Sequence, residues 1–143
     1  MKKYLIDGYN LLYSWRKRTV FLSSGFEAMK EEMLIMLQKM ADFEEDEIEV
    51  YFDAFKGPVR QAEKSGRLKT IYASGEATAD MVIEREVYNT GKKDNIRVVT
   101  SDMGIKNMVM AMGVLVISPD QFLAEVSDCV KEMNEIIKKQ NRR

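Results

Sequence analysis

The chain has 143 residues, enough for one ordinary domain with its own core, and its 45% apolar and 31% charged residues are those of a soluble globular protein. It has no histidine, which removes Ser-His-Asp, Cys-His and paired-His ribonuclease chemistry, and one cysteine, Cys129, which excludes an internal disulfide and a Cys-rich zinc site. The net charge is −1 and no apolar run approaches the roughly 20 residues of a bilayer span, so no membrane partner is expected and the cytoplasm is the natural compartment.

The elements alternate between strand and helix, which predicts an α/β fold with a mainly parallel sheet. Met1-Lys2-Lys3 runs straight into a first strand at about 3–7, without the apolar core of a signal peptide. A loop from Gly8 to Gly25 is expected next. Ser24 with Glu27 then reads as a capping box for a helix carrying Phe26, Met29, Met33, Leu37 and Met40 at helical spacing. The acidic run 42–49 precedes a second strand at 48–53 and so belongs at the floor of the sheet. A long connection, 54–68, is expected to hold a short helix around 59–64, followed by a third strand at 68–72. A helix over 79–89 stops near Gly91. Further strands are expected at 96–100 and 114–117, with a short helix at 103–112 between them. Ser118-Pro119 opens the last helix. No repeat or linker divides the chain, so residues 1–143 read as a single domain with a C-terminal helix.

Carboxylates recur where such a fold places its site. Asp7, Asp53 and Asp102 each fall just after an expected strand, and ligands of an open parallel sheet bind outside the carboxyl ends of its strands. Asp80 opens a helix, with Glu84 one turn further on the same face. Gathering like charges is unfavourable without a cation to neutralise them. With no histidine, hydrolysis here must run on carboxylates, most naturally through a hard cation with oxygen ligands. Asn10 is placed to orient a water or cap a turn. Ser101, in Thr100-Ser101-Asp102, is placed to hold a phosphate oxygen or cap the next helix. Each acid also has an ordinary reading as a turn or cap residue; their shared location is what points to a site. Arg16, Lys17 and Arg18 after the first strand, and Lys56, Arg60, Lys64, Arg67 and Lys69 after the second, read as a basic rim for a polyanion.

Asp7-Gly8-Tyr9-Asn10, Phe52-Asp53-Ala54, Ala77-Thr78-Ala79-Asp80 with Ile83-Glu84, and Val99-Thr100-Ser101-Asp102 together resemble the YacP-like branch of the NYN domain family, within the PIN-like nuclease superfamily. The resemblance runs from about Lys3 to Glu125. It implies a Rossmann-like three-layer α/β/α domain and a Mg2+- or Mn2+-dependent endoribonuclease. Asp7, Asp80 and Asp102 would be metal-binding carboxylates. Asn10 and Ser101 would support the metal shell or the phosphate, with Asp53 and Glu84 as further catalytic candidates. It also implies RNA as the partner, with messenger RNA on the ribosome as a candidate setting. Where relatives often carry a histidine after Phe-Asp-Ala, this chain has Phe55.

Two other functions compete. A catalytically silent RNA- or ribosome-binding module on the same fold would lack a carboxylate, and none is missing. A phosphoacceptor receiver domain would need a second acid beside Asp7 and a lysine after the fifth strand. The chain has Gly8 and Ser118-Pro119 at those places.

Overall fold

The computed structural model describes residues 1–18, 25–53, 61–73, 78–91 and 93–142. Six strands form one sheet in the order β3-β4-β2-β1-β5-β6. The strands are β1 (Lys3–Asp7), β2 (Glu47–Asp53), β3 (Gln61–Ser65), β4 (Leu68–Ala73), β5 (Ile96–Val99) and β6 (Leu115–Ile117). All neighbours are parallel except β3 and β4. The helices are α1 (Gly8–Arg18), α2 (Phe26–Glu44), α3 (Ala79–Asn89), α4 (Met103–Ala111) and α5 (Pro119–Asn141). Among the described residues, no helix is long and apolar enough to cross a membrane.

Side chains alternate across a strand, so each strand feeds two cores. Tyr4, Ile6, Val50 and Phe52 pack with Leu11, Leu12, Met33, Leu37 and Phe122, beneath α1, α2 and α5. Leu5, Tyr51 and Ile71 pack with Val82, Ile83, Val87, Ile105 and Val109, beneath α3 and α4. This gives three layers. The same alternation sends Asp7 and Asp53 to the α3 side. Lower on that side, buried Glu49 is held by the Lys3 ammonium at 3.0 Å and the Tyr51 hydroxyl at 2.8 Å. A buried carboxylate is tolerable only with such partners.

The structure departs from expectation in three places. Residues 8–18 are helix, not loop. The N–H of Asn10 donates to Asp7 Oδ1 at 3.4 Å, so the last residue of β1 caps α1 directly. The start of α2 differs too: Gly25, at φ 110°, takes the cap position without a side-chain hydrogen bond, and the Ser24 of the expected capping box lies outside the described residues. Glu27 instead pairs with Lys30 at 3.6 Å.

The third departure moves charge. Residues 61–65 form a strand, not a helix, and turn back through Gly66-Arg67 into β4. Gly66 has φ 58°, which suits this tight turn. The Arg67 N–H donates to Asp42 Oδ1 at 3.0 Å, and its guanidinium donates to the carbonyl of Glu45. Leu68 pairs with Ile48 at the start of β2. Lys64, Arg67 and Lys69 therefore sit at the floor beside the acidic run, not on the upper rim.

Gly8 is required where β1 passes into α1. A Cβ there would overlap the Phe52 ring. Gly8→Ala is expected to lower stability by about 1–3 kcal/mol, as overpacking does. Urea unfolding checks this, and Phe52→Leu in the same chain should recover part of the loss.

Candidate active site

Strand order reverses between β1 and β5, so a crevice opens beyond their carboxyl ends. Asp7 lies on one side of it and Thr100-Ser101-Asp102 on the other. Asn10, in the first turn of α1, joins the two sides. Its Oδ1 accepts from the Ser101 N–H at 2.8 Å, the Ser101 hydroxyl at 2.6 Å and the Thr100 hydroxyl at 3.4 Å. The Asp102 N–H donates to Thr100 Oγ1 at 3.1 Å, and Asp102 Oδ1 caps α4 by accepting from the Ile105 N–H at 2.9 Å. Asn10 and Ser101 thus hold the two walls together.

Asp80 reaches the crevice from α3. Thr78 Oγ1 caps that helix by accepting from the Met81 N–H at 3.2 Å. Asp53 Oδ1 accepts a short hydrogen bond from the Ala79 N–H, one residue before Asp80. The strand-end carboxylate of β2 therefore fixes the helix end that carries Asp80. Tyr9 secures the same corner, its hydroxyl donating to the Asp53 carbonyl at 3.2 Å.

The carboxylates interact directly. Asp7 is only 8% exposed. Burial pushes its pKa up to about 6, opposed by the Asn10 N–H and reinforced by Asp80 and Asp53. Asp80 is also raised, first by burial and then by Asp102 and Asp53. The Asp7 and Asp80 carboxyls share a hydrogen bond, which favours the proton on Asp7. Glu84 is half-buried one turn along α3 and is not among the charges acting on either group.

Of the expected site residues, the structure brings together Asp7, Asn10, Asp53, Asp80, Ser101 and Asp102. Arg16 is exposed on α1. Lys64 and Arg67 lie at the opposite end of the sheet, while Lys56 and Arg60 fall outside the described residues. The sequence reading missed Tyr9 and the capping duties of Asp7 and Asp53. The signal for the first cap was Asp7 three residues ahead of Asn10. The Asp53 cap joins residues 26 apart and leaves no local signal.

The donor set fits a hard cation in its chemistry: all oxygen, anionic and repelling in the ion's absence. Yet among the described residues no three carboxylates are already arranged around a single ion position. One oxygen each of Asp53 and Asp102 is committed to a helix cap.

An open, mainly parallel sheet with carboxylates at its switch point defines a Rossmann-like domain with an acidic crevice. The chain belongs to the YacP-like NYN domain family, which matches residues 4–143. Membership places it among nuclease-like, PIN-like domains, in keeping with an RNA-related function. It is 26% identical over 141 residues to the Bacillus subtilis (strain 168) protein described as uncharacterized protein YacP, covering 94% of this chain and 81% of that one. Crystal structures of Rae1 (YacP) from Bacillus subtilis share the fold. A point mutant superposes with a TM-score of 0.81 at 22% identity, covering all of this chain and 86% of that one. The other structure gives 0.79 at 23% identity, covering 99% and 83%.

Folding raises the Asp7 pKa from 3.8 to about 6, so the folded state holds this proton more tightly than the unfolded chain. The stability Asp7 lends is complete below about pH 4 and is lost as pH rises through 6, by roughly 2–3 kcal/mol. Asp7→Asn removes that loss and keeps an acceptor for the Asn10 N–H. At pH 7.5 without divalent ions the variant is expected to be more stable by about 1–3 kcal/mol. Urea unfolding from pH 4 to 8 checks both the gain and the flattened pH dependence.

Proposed function

We propose that this chain is a divalent-metal-dependent endoribonuclease that hydrolyses RNA phosphodiester bonds. The observation that carries the reading is the convergence of Asp7, Asp53, Asp80 and Asp102 on the switch-point crevice, with Asp7 buried against Asp80. Such an arrangement disfavours the apo protein, and a bound cation relieves it. Asp7, Asp80 and the second oxygen of Asp102 would hold Mg2+ or Mn2+. When bound, the ion supplies a more acidic water and neutralises charge developing on the phosphate. The protein's own residues supply position. Asp53 orients Asp80 through the first turn of α3. Asn10 and Ser101 set the separation of the two walls. Asp7, its pKa pushed up by burial to about 6, keeps its proton further into the mildly acidic range than an ordinary carboxyl.

A second reading, an RNA-binding module without catalysis, is favoured by one observation: the carboxylates are not already arranged around a single ion position among the described residues. Cleavage assays with Mg2+ or Mn2+ separate the two readings. They should use messenger RNA with and without ribosomes, since the ribosome is the proposed setting. The wild type is expected to cut. Asp7→Asn and Asp80→Asn should each lose roughly 100-fold or more while remaining folded. Variants that cut like the wild type would refute the site. RNA binding without cleavage in every condition would select the silent module.

Among the described residues of the expected RNA set, Arg16 is the cation that lies at the recess beside Tyr9. Arg16→Ala is expected to weaken RNA binding and reduce the slope of log affinity against log salt by about one. Arg67→Ala, at the floor, should leave that slope unchanged. Equal effects of the two, measured by fluorescence anisotropy over a salt series, would contradict the placement of the RNA path.

A further inference from the structure

On the α1–α2 side of the rim, a recess of about 200 Å³ is lined by Tyr9, Leu12, Tyr13, Arg16, Phe26 and Met29. Phe26 continues the apolar series of α2, yet it is 45% exposed and not in the core. Tyr13 is 66% exposed. The Tyr9 ring stacks on Phe26, with centroids 5.8 Å apart, and meets Phe52 edge-on at 5.2 Å. Because the Tyr9 hydroxyl donates to the Asp53 carbonyl, this wall is anchored to a strand end of the carboxylate crevice. The Arg16 cation lies at the same recess.

We propose that this recess is a nucleobase-stacking subsite for a single-stranded segment of the RNA whose phosphate lies at the carboxylates. The inference rests on the ribonuclease reading and adds to it a place for a base beside the scissile bond. Three features select a base over other apolar occupants. The rings of Phe26 and Tyr13 present open aromatic surface, which stacks on any base irrespective of sequence. A guanidinium at the recess complements the phosphate that accompanies each base. The hydrogen bond from Tyr9 to Asp53 fixes the recess relative to the crevice, so one strand can occupy both.

The test is binding of a fluorescent hexauridine with Mg2+ present, in the Asp7→Asn chain, which the ribonuclease reading makes inactive. Adding Phe26→Ala is expected to weaken binding by about five- to a hundredfold, the usual loss for one stacked base. Adding Phe26→Tyr should preserve it, and an abasic ribose-phosphate hexamer should bind the Asp7→Asn chain as weakly as hexauridine binds the Phe26→Ala variant. Unchanged affinity in Phe26→Ala, or equal affinity for the abasic hexamer, overturns the subsite. The ribonuclease reading then survives if the wild type still cleaves RNA. Failure of both the wild type and the Asp7→Asn chain to bind hexauridine also overturns the subsite. If in addition the wild type cleaves no RNA, the ribonuclease reading fails with it.

Discussion

The site depends on where β1 ends. The strand is covered by helices on both faces, so its last side chain cannot turn to bulk water without breaking the alternation that buries Leu5 and Ile6. Asp7 must point into the layer beneath α3. A carboxylate there needs donors, and the first turn of α1 supplies one through the Asn10 N–H. That requirement brings helix immediately after strand, leaves no room for a side chain at residue 8, and packs the Phe52 ring against the bare Cα of Gly8. A single buried acid thus fixes the chain path through the next several residues.

The other carboxylates divide their oxygens between structure and chemistry. Asp53 and Asp102 each cap a helix with one oxygen, so α3 and α4 start where the crevice needs them. Asn10 accepts from three donors of the facing segment and prevents the walls from drifting apart. Acids used this way are well positioned but only partly available to a cation. This explains how the site can be electrostatically strained while no complete set of ligands stands ready among the described residues.

Five of the six strands and the helices α2 to α5 were legible because apolar runs and apolar spacing report burial directly. The expected helix over 79–89 coincides with α3. The expected burial of Met29, Met33, Leu37 and Met40 is also observed. What failed was α1, expected as a loop, and β3, expected as a helix. Nothing local in Gln61-Ala62-Glu63-Lys64-Ser65 says that it runs antiparallel beside β4. Only the turn at Gly66, with its φ of 58° and its contact with Asp42, reveals that the chain reverses there. A reading in chain order placed Lys64 and Arg67 after the second strand and hence at its upper end. Register places them level with its first residues. The carboxylates escaped this error because each directly follows a parallel strand or opens a helix, where order alone fixes the end of the sheet.

Moving those cations changes the electrostatic picture. At the floor, Arg67 binds the backbone at Glu45 beside the acidic run. Near the rim, Lys30 lies over the Phe52 and Tyr72 rings, at 5.1 and 4.8 Å, and pairs with Glu27. Its charge is thereby spent largely within the protein. The crevice itself is lined with acids. A polyanion approaching it meets repulsion from Asp7, Asp53, Asp80 and Asp102, countered among the described residues by Arg16 at the adjoining recess. Affinity for a phosphate chain must then come from a cation bound among the carboxylates or from contacts that do not depend on charge. The exposed rings of Phe26 and Tyr13 beside the crevice are a source of the second kind. On the proposed ribonuclease reading, coupling the two would favour a strand once a cation is bound.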